Sequence, residues 1–300
     1  MKTGLLLPAI FSTFLLLSGA PGRAFMPPER PLLPNFDKRA ASAHNLDAVS
    51  AEQRAAAEQL RARLPQVRVD FDPLLGAPKL ISAGEEFLSG TNGRGKAISA
   101  AVAQSFANDP HGAAKGFVRE HSRLFGYGPE LLERARIKRQ FETAHNGLQT
   151  VVWEEQVDGI PIFEAVFIAH TTRRGELVNL SSQFVPDPEG AAERGVPNRA
   201  AQVAAPTIAA PKAVAIAARN VGEESDENQV IQEPAAEGAA ALAGPEKRQT
   251  LKGAGLLGTA EARLVWLALS WSCRICVRPV RDSFWVVSVR MAAWLFESST

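Results

Sequence analysis

Between residues 136 and 185 apolar and polar positions alternate with the period of two that marks strands, and glycine-containing pairs interrupt the run at regular spacing. The pattern predicts strands over residues 137–143, 149–157, 160–172 and 177–185. They are joined at Asn146-Gly147, Asp158-Gly159 and Arg174-Gly175, so the expected product is an antiparallel meander of four strands. Pro161 has no N–H to give a ladder, so the third strand either begins after it or starts at an edge.

Upstream the period changes to that of helices. Residues 50–64 offer Ser50 as N-cap, Gln53 as its capping-box partner, and a run of Ala, Glu, Arg and Leu that ends before Pro65. Residues 97–107 predict a second helix and residues 110–125 a third. In the third, Asp109 is placed to cap, and Phe117, Val118, His121, Leu124 and Phe125 share one side before Gly126 stops it. That face should cover the sheet. The interval 67–95 mixes short apolar pieces with Pro and Gly and reads as extended segments joined by turns.

Past Pro186 the chain becomes rich in Ala, Pro, Gly and Glu, and only residues 207–221 carry a helical pattern. Residues 222–261 hold few large apolar side chains to offset chain entropy and read as a disordered linker. Hydrophobicity returns over 262–300, with Trp266, Trp271, Trp285 and Trp294, enough for strands of an incomplete second unit. The expected fold class is α+β, an antiparallel meander packed with helices at 97–187, then a linker, then an incomplete second α+β unit.

At the N-terminus Lys2, the uncharged apolar stretch 5–17 and the small residues Gly19, Ala20, Gly22 and Ala24 form the pattern of a signal peptide over residues 1–24. Residues 25–96 then hold a proline-rich leader and the first helix. The apolar stretch is shorter than the roughly 20 residues that span a bilayer, and the later region 264–296 is broken by Arg274, Arg278, Arg281, Asp282 and Arg290. An exported, secreted or periplasmic protein with no stable membrane span is expected.

The 33 Lys and Arg balance 32 Asp and Glu, so no overall field draws the chain to nucleic acid. Only two cysteines occur, Cys273 and Cys276, and no disulfide framework staples the fold. Their spacing suits a redox pair or half a zinc site, without the second half. The histidines His44, His111, His121, His145 and His170 stand too far apart in sequence for a two-histidine metal face on a helix. The stretch from Gly90 to Ala97 approaches a phosphate-binding loop, but Ala97 lacks the hydroxyl that would reach magnesium. Asp70 with Asp72 and Glu154 with Glu155 read as ordinary surface carboxylates. No catalytic residue, cofactor site or metal site is assigned.

The run from Val157 through Asp158, Gly159, Ile160, Pro161, Ile162 and Phe163 to His170, followed by Arg174-Gly175 and the strand ending Ser182-Gln183-Phe184-Val185, resembles the fungalysin/thermolysin propeptide domain. The upstream Phe117-Val118, Glu120-His121 and Leu124-Phe125-Gly126 resemble that family's lead-in, and residues 207–222 resemble the first helix of a PepSY domain, as Arg263 to Leu267 resemble one of its strands. The resemblance implies a pro-region that acts as intramolecular chaperone and inhibitor of a secreted zinc metallopeptidase, with the catalytic domain as its partner. The chain reaches Thr300 without the His-Glu-x-x-His helix of such enzymes, which suggests truncation before the catalytic domain, so zinc would belong to that missing part. The alternative is a free-standing exported inhibitor or binding module acting on a separate protease. Asp158, Gly159, Pro161, Ile162 and Phe163 are the candidate residues, either contacts to the protease or positions critical to the fold.

Overall fold

The computed structural model describes residues 49–72, 75–95, 97–196, 198–206, 208–220, 226–232, 244–253, 256, 258–271, 274–278 and 285–289. The expected signal peptide, Cys273 and Trp294 lie outside the described residues.

The chain enters through helix α1 (Ala51–Arg63). The Ser50 hydroxyl accepts the Gln53 amide at 3.1 Å while the Gln53 side chain accepts the Ser50 amide at 2.9 Å, the reciprocal cap that satisfies two orphan donors. Gln53 does more than cap: its buried side-chain amide donates to the carbonyls of Gly76 at 2.6 Å and Leu124 at 3.3 Å, which pins α1 to a turn and to a short helix distant in the chain.

Strands β1 (Arg68–Phe71) and β2 (Pro78–Ser82) follow. Helices α2 (Ala100–Ser105), α3 (Gly112–Glu120), α4 (Ser122–Phe125) and α5 (Glu130–Arg134) lead to the meander of β3 (Arg136–Glu142), β4 (Gln149–Val157), β5 (Ile160–Thr171) and β6 (Leu177–Ser182). The four strands are those the alternation predicts, but the sheet has six. The extended segments upstream pair in, giving the antiparallel order β1-β2-β6-β5-β4-β3.

The helix expected over 110–125 starts at Gly112 and breaks at His121, whose φ of −111° and ψ of 29° are not helical. Asp109 accepts the His111 amide at 2.7 Å and the Lys115 ammonium at 2.6 Å, so it orders the turn before the helix instead of capping its first turn. His121 turns its Nε2 to the Ala97 carbonyl at 2.8 Å, a long-range bond that local periodicity does not signal. Gly126 ends the segment with φ of 78°, as the sequence suggests.

Between helices and sheet lies an aromatic core in which Trp153, Phe167, Phe125 and Phe117 succeed one another, with centroids 5.7, 6.2 and 6.3 Å apart. Their edge-on and tilted arrangement suits ring quadrupoles.

The region past Pro186 is more ordered than its composition suggests. Asp187 accepts the Gly190 amide and caps α6 (Pro188–Gly195), and α7 (Arg199–Ala204) and α8 (Ala210–Asn220) follow. The expectation of disorder across 222–261 is corrected for its described part: it holds β7 (Val230–Gln232), β8 (Gln249–Gly253) and the first two residues of β9 (Ala260–Leu264), in a sheet with β12 (Trp285–Val289) in the order β12-β9-β8-β7. Small residues suffice there because Ala260 and Ala262 are fully buried beside Val214, Ala215 and Leu251, in a core that needs close approach more than bulk. A separate hairpin pairs β10 (Leu267–Trp271) with β11 (Arg274–Arg278), which carries Cys276.

Candidate functional site

The candidate residues sit where the two cores meet. Val157 pairs with Ile160, so the loop between β4 and β5 is the two residues Asp158 and Gly159, with φ of 53° and 75°. Positive φ at both positions is the type I′ turn whose twist matches antiparallel strands. Asp158 is exposed and pairs with Arg199 Nε at 3.0 Å, while Arg199 also reaches Glu189 at 3.0 Å.

Pro161 lies inside β5, not before it, and the strand accommodates it by facing a different neighbour. The Pro161 carbonyl accepts the Trp266 amide at 2.9 Å, and the Phe163 amide donates to the Trp266 carbonyl at 2.7 Å, a parallel bridge centred on Ile162. Trp266 also donates its indole N–H to the Val157 carbonyl at 3.1 Å. Ile162 is 1% exposed and Pro161 is buried, whereas Phe163 is half-buried. The first part of β5 is therefore joined to the C-terminal half of the chain.

Just beyond, the ladder slips: Glu154 faces Val166 while Gln156 faces Pro161, so residues 162–165 bulge out, with Glu164 at φ of 59°. Glu155 falls at the slip, between Glu154 and Gln156. The pair read from sequence as surface carboxylates is buried at both positions, Glu154 at 4% and Glu155 at 2% exposure. Neighbouring strand residues point to opposite faces, so two adjacent carboxylates on a strand covered on both sides must both be enclosed. That signal was present in the sequence once β4 was placed at the sheet's interior.

The two carboxylates are treated differently. Burial alone would raise Glu154, but Lys138 at 2.8 Å and the Arg136 guanidinium outweigh it and hold the carboxyl below the usual carboxylate range. Among the described residues no cation pairs with Glu155; burial pushes its carboxyl well above the ordinary range, and its Oε2 accepts the Val185 amide at 2.7 Å. Close to Glu154 stands Glu246, buried and paired with Arg248 at 2.8 Å and Arg263 at 3.6 Å, and 4.0 Å from Arg136. Sequence reasoning missed Glu246: Arg248 is its neighbour in the chain, but Arg136 and Arg263 reach it from strands distant in sequence.

The other polar candidates also serve the fold. Burial lowers His121 and His170, and His170 Nδ1 bonds the Thr150 hydroxyl at 2.9 Å. His111 packs edge-on against Trp153 with centroids 5.2 Å apart. In the stretch resembling a phosphate loop the amides of Asn92 and Gly93 donate to the carbonyls of Arg174 and Gly175, at 2.9 and 3.0 Å, and so clasp the β5–β6 turn. Among the described residues no three His, Cys, Asp or Glu side chains gather as metal ligands. No helix there is long and apolar enough to cross a membrane. The arrangement can hold a rigid surface in place, and the one Thr–His pair described above, Thr150 with His170, joins β4 to β5.

Residues 134–184 match the fungalysin/thermolysin propeptide motif. The matched stretch begins at the end of α5 and covers the β3–β6 meander, so the motif coincides with a structural unit and includes all five candidate residues. No curated protein matches the chain.

Proposed function

We propose that this chain is the pro-region of a secreted fungalysin-type zinc metallopeptidase, acting as folding chaperone and inhibitor of the catalytic domain. The match of the propeptide motif to the whole meander carries the reading. The side chains add support, since the buried carboxylates and histidines are engaged in holding strands and loops, which suits a binding scaffold. A domain that binds the folded form of its partner and not the unfolded chain stabilises that form by mass action. Export through residues 1–24 would place it with such an enzyme. Within this reading Asp158, Gly159, Pro161 and Ile162 act by fixing the junction of the two cores, and Phe163 stands at its margin.

The test is refolding of a denatured fungalysin-type catalytic domain with and without the full chain, followed by casein hydrolysis. The reading requires a higher yield of folded enzyme and inhibition by excess chain. Unchanged yield together with an unchanged hydrolysis rate at micromolar chain would refute it.

A further inference from the structure

Strand β3 closes one side of the six-stranded sheet, and among the described residues nothing pairs with its outer edge. All seven of its residues are exposed, including Ile137 at 44% and Phe141 at 38%. Proteins that stay monomeric blunt such an edge, usually with charge, because its free amides and carbonyls template another strand. Here three of the strand's four charges are of one sign. Arg136, Lys138 and Arg139 stand against Glu142 alone, and Arg134 precedes them.

The anions nearby do not cancel that sign. Arg136 and Lys138 converge on the one carboxylate of Glu154, and Glu142 is held by Arg173 at 2.8 Å. Arg139 lies over the Phe141 ring at 4.4 Å, and no carboxylate among the described residues pairs with it. The Thr143 amide donates to the Leu148 carbonyl at 2.8 Å, which closes the β3–β4 hairpin. The alternation of an antiparallel ladder then points the Phe141 amide toward β4 and those of Gln140 and Glu142 outward.

From this placement we infer that β3 is a strand-addition site for an extended acidic segment of a partner protein. The added strand takes hydrogen bonds from the outward backbone at Gln140 and Glu142, sets Asp or Glu side chains near Arg136 and Arg139, and covers Ile137 and Phe141 with apolar ones. A second copy of this chain is disfavoured as occupant, because it would bring three cations and one anion against the same set. The bulge between Ile137 and Arg139 puts Ile137 on the Trp153 face and Phe141 on the Thr150 face, so the two apolar contacts lie on opposite faces of the added strand. The site stands on the geometry of β3 and does not depend on the peptidase reading.

The probe is a labelled ten-residue peptide alternating Glu with Thr and Val, titrated with the full chain by fluorescence anisotropy, beside a peptide with Lys in place of Glu. The acidic peptide should bind at least tenfold more tightly than the basic one and weaken at high salt. Gln140→Pro removes an outward donor without touching the β4 ladder, and should lower affinity at least tenfold while the melting temperature holds. Arg139→Glu should weaken binding several-fold, and the Gln140 and Glu142 amide signals of the wild-type chain should shift on addition of peptide. Equal binding of both peptides, or no shift at those amides, overturns the site whether or not Gln140→Pro folds. Concentration-dependent dimerisation abolished by Arg139→Glu, without peptide binding, would make a second copy the occupant and overturn the inference.

Discussion

Glu155→Gln should make the protein more stable, by an amount that grows with pH. In the fold the Glu155 carboxyl is 2% exposed, its Oε2 accepts the Val185 amide, and its Oε1 is buried with no hydrogen-bond partner among the described residues. Burial raises its folded-state pKa well above the ordinary 4.5, and the Val185 amide offsets only part of that. Below about pH 4.5 both folded and unfolded chains carry the proton, so this group opposes nothing. Above it the unfolded chain releases the proton while the folded chain keeps it. Stability is therefore lost as pH rises, by up to about tenfold in the folding equilibrium constant per pH unit, until the folded-state pKa is passed.

The amide cannot ionise and still accepts the Val185 N–H. Other groups titrate in the same range: Glu154, Glu120 and Asp109 are held low and lose their contribution as pH falls, and buried His121 and half-buried His111 and His170 resist protonation. They are common to both proteins, so the difference between wild type and variant isolates Glu155. Urea denaturation followed by tryptophan fluorescence, to which buried Trp153 and Trp266 contribute, at pH 4.5, 5.5, 6.5 and 7.5 reads it. Wild type and variant should coincide at the lowest pH and diverge upward. A constant gap across that range, or a variant less stable throughout, would show that Glu155 is not held protonated by burial.

Gly159→Val should destabilise by about 2 kcal/mol or more, since the residue sits at φ of 75° and an added Cβ would lie 2.8 Å from Pro245 Cγ; thermal melting of the variant checks this. Trp266→Ala removes a side chain 3% exposed and should cost about 3–5 kcal/mol in chemical denaturation. Trp266→Phe retains most of the packing but loses the bond to the Val157 carbonyl, and should cost about 1 kcal/mol by the same measurement.

The strands of the meander and their turns could be read directly from the residues, because alternation and a glycine at positive φ are properties of a few neighbours. The Asp158-Gly159 turn is the clearest case, with two residues whose side chains tolerate the required φ between two apolar-rich runs. The Ser50–Gln53 cap was readable for the same reason, its two bonds spanning three residues. The match to a propeptide motif rests on this local pattern too.

What the neighbours could not decide was which segments would lie side by side. The pairing of β2 with β6, the Trp266 bridge to Pro161 and Phe163, and the bond from His121 to Ala97 each join residues whose partner is distant in the chain. The composition around β7 and β8 is poor in large side chains and suggests disorder; these strands are ordered because α8 and Ile162 supply the other wall of their core. The roles of the candidate residues turned on the same fact. Glu154 and Glu155 are alike and adjacent in sequence, yet among the described residues the fold brings two cations to one and none to the other. Charge state depends on burial and on which charges lie within a few ångströms, and those distances exist only once the chain has closed on itself.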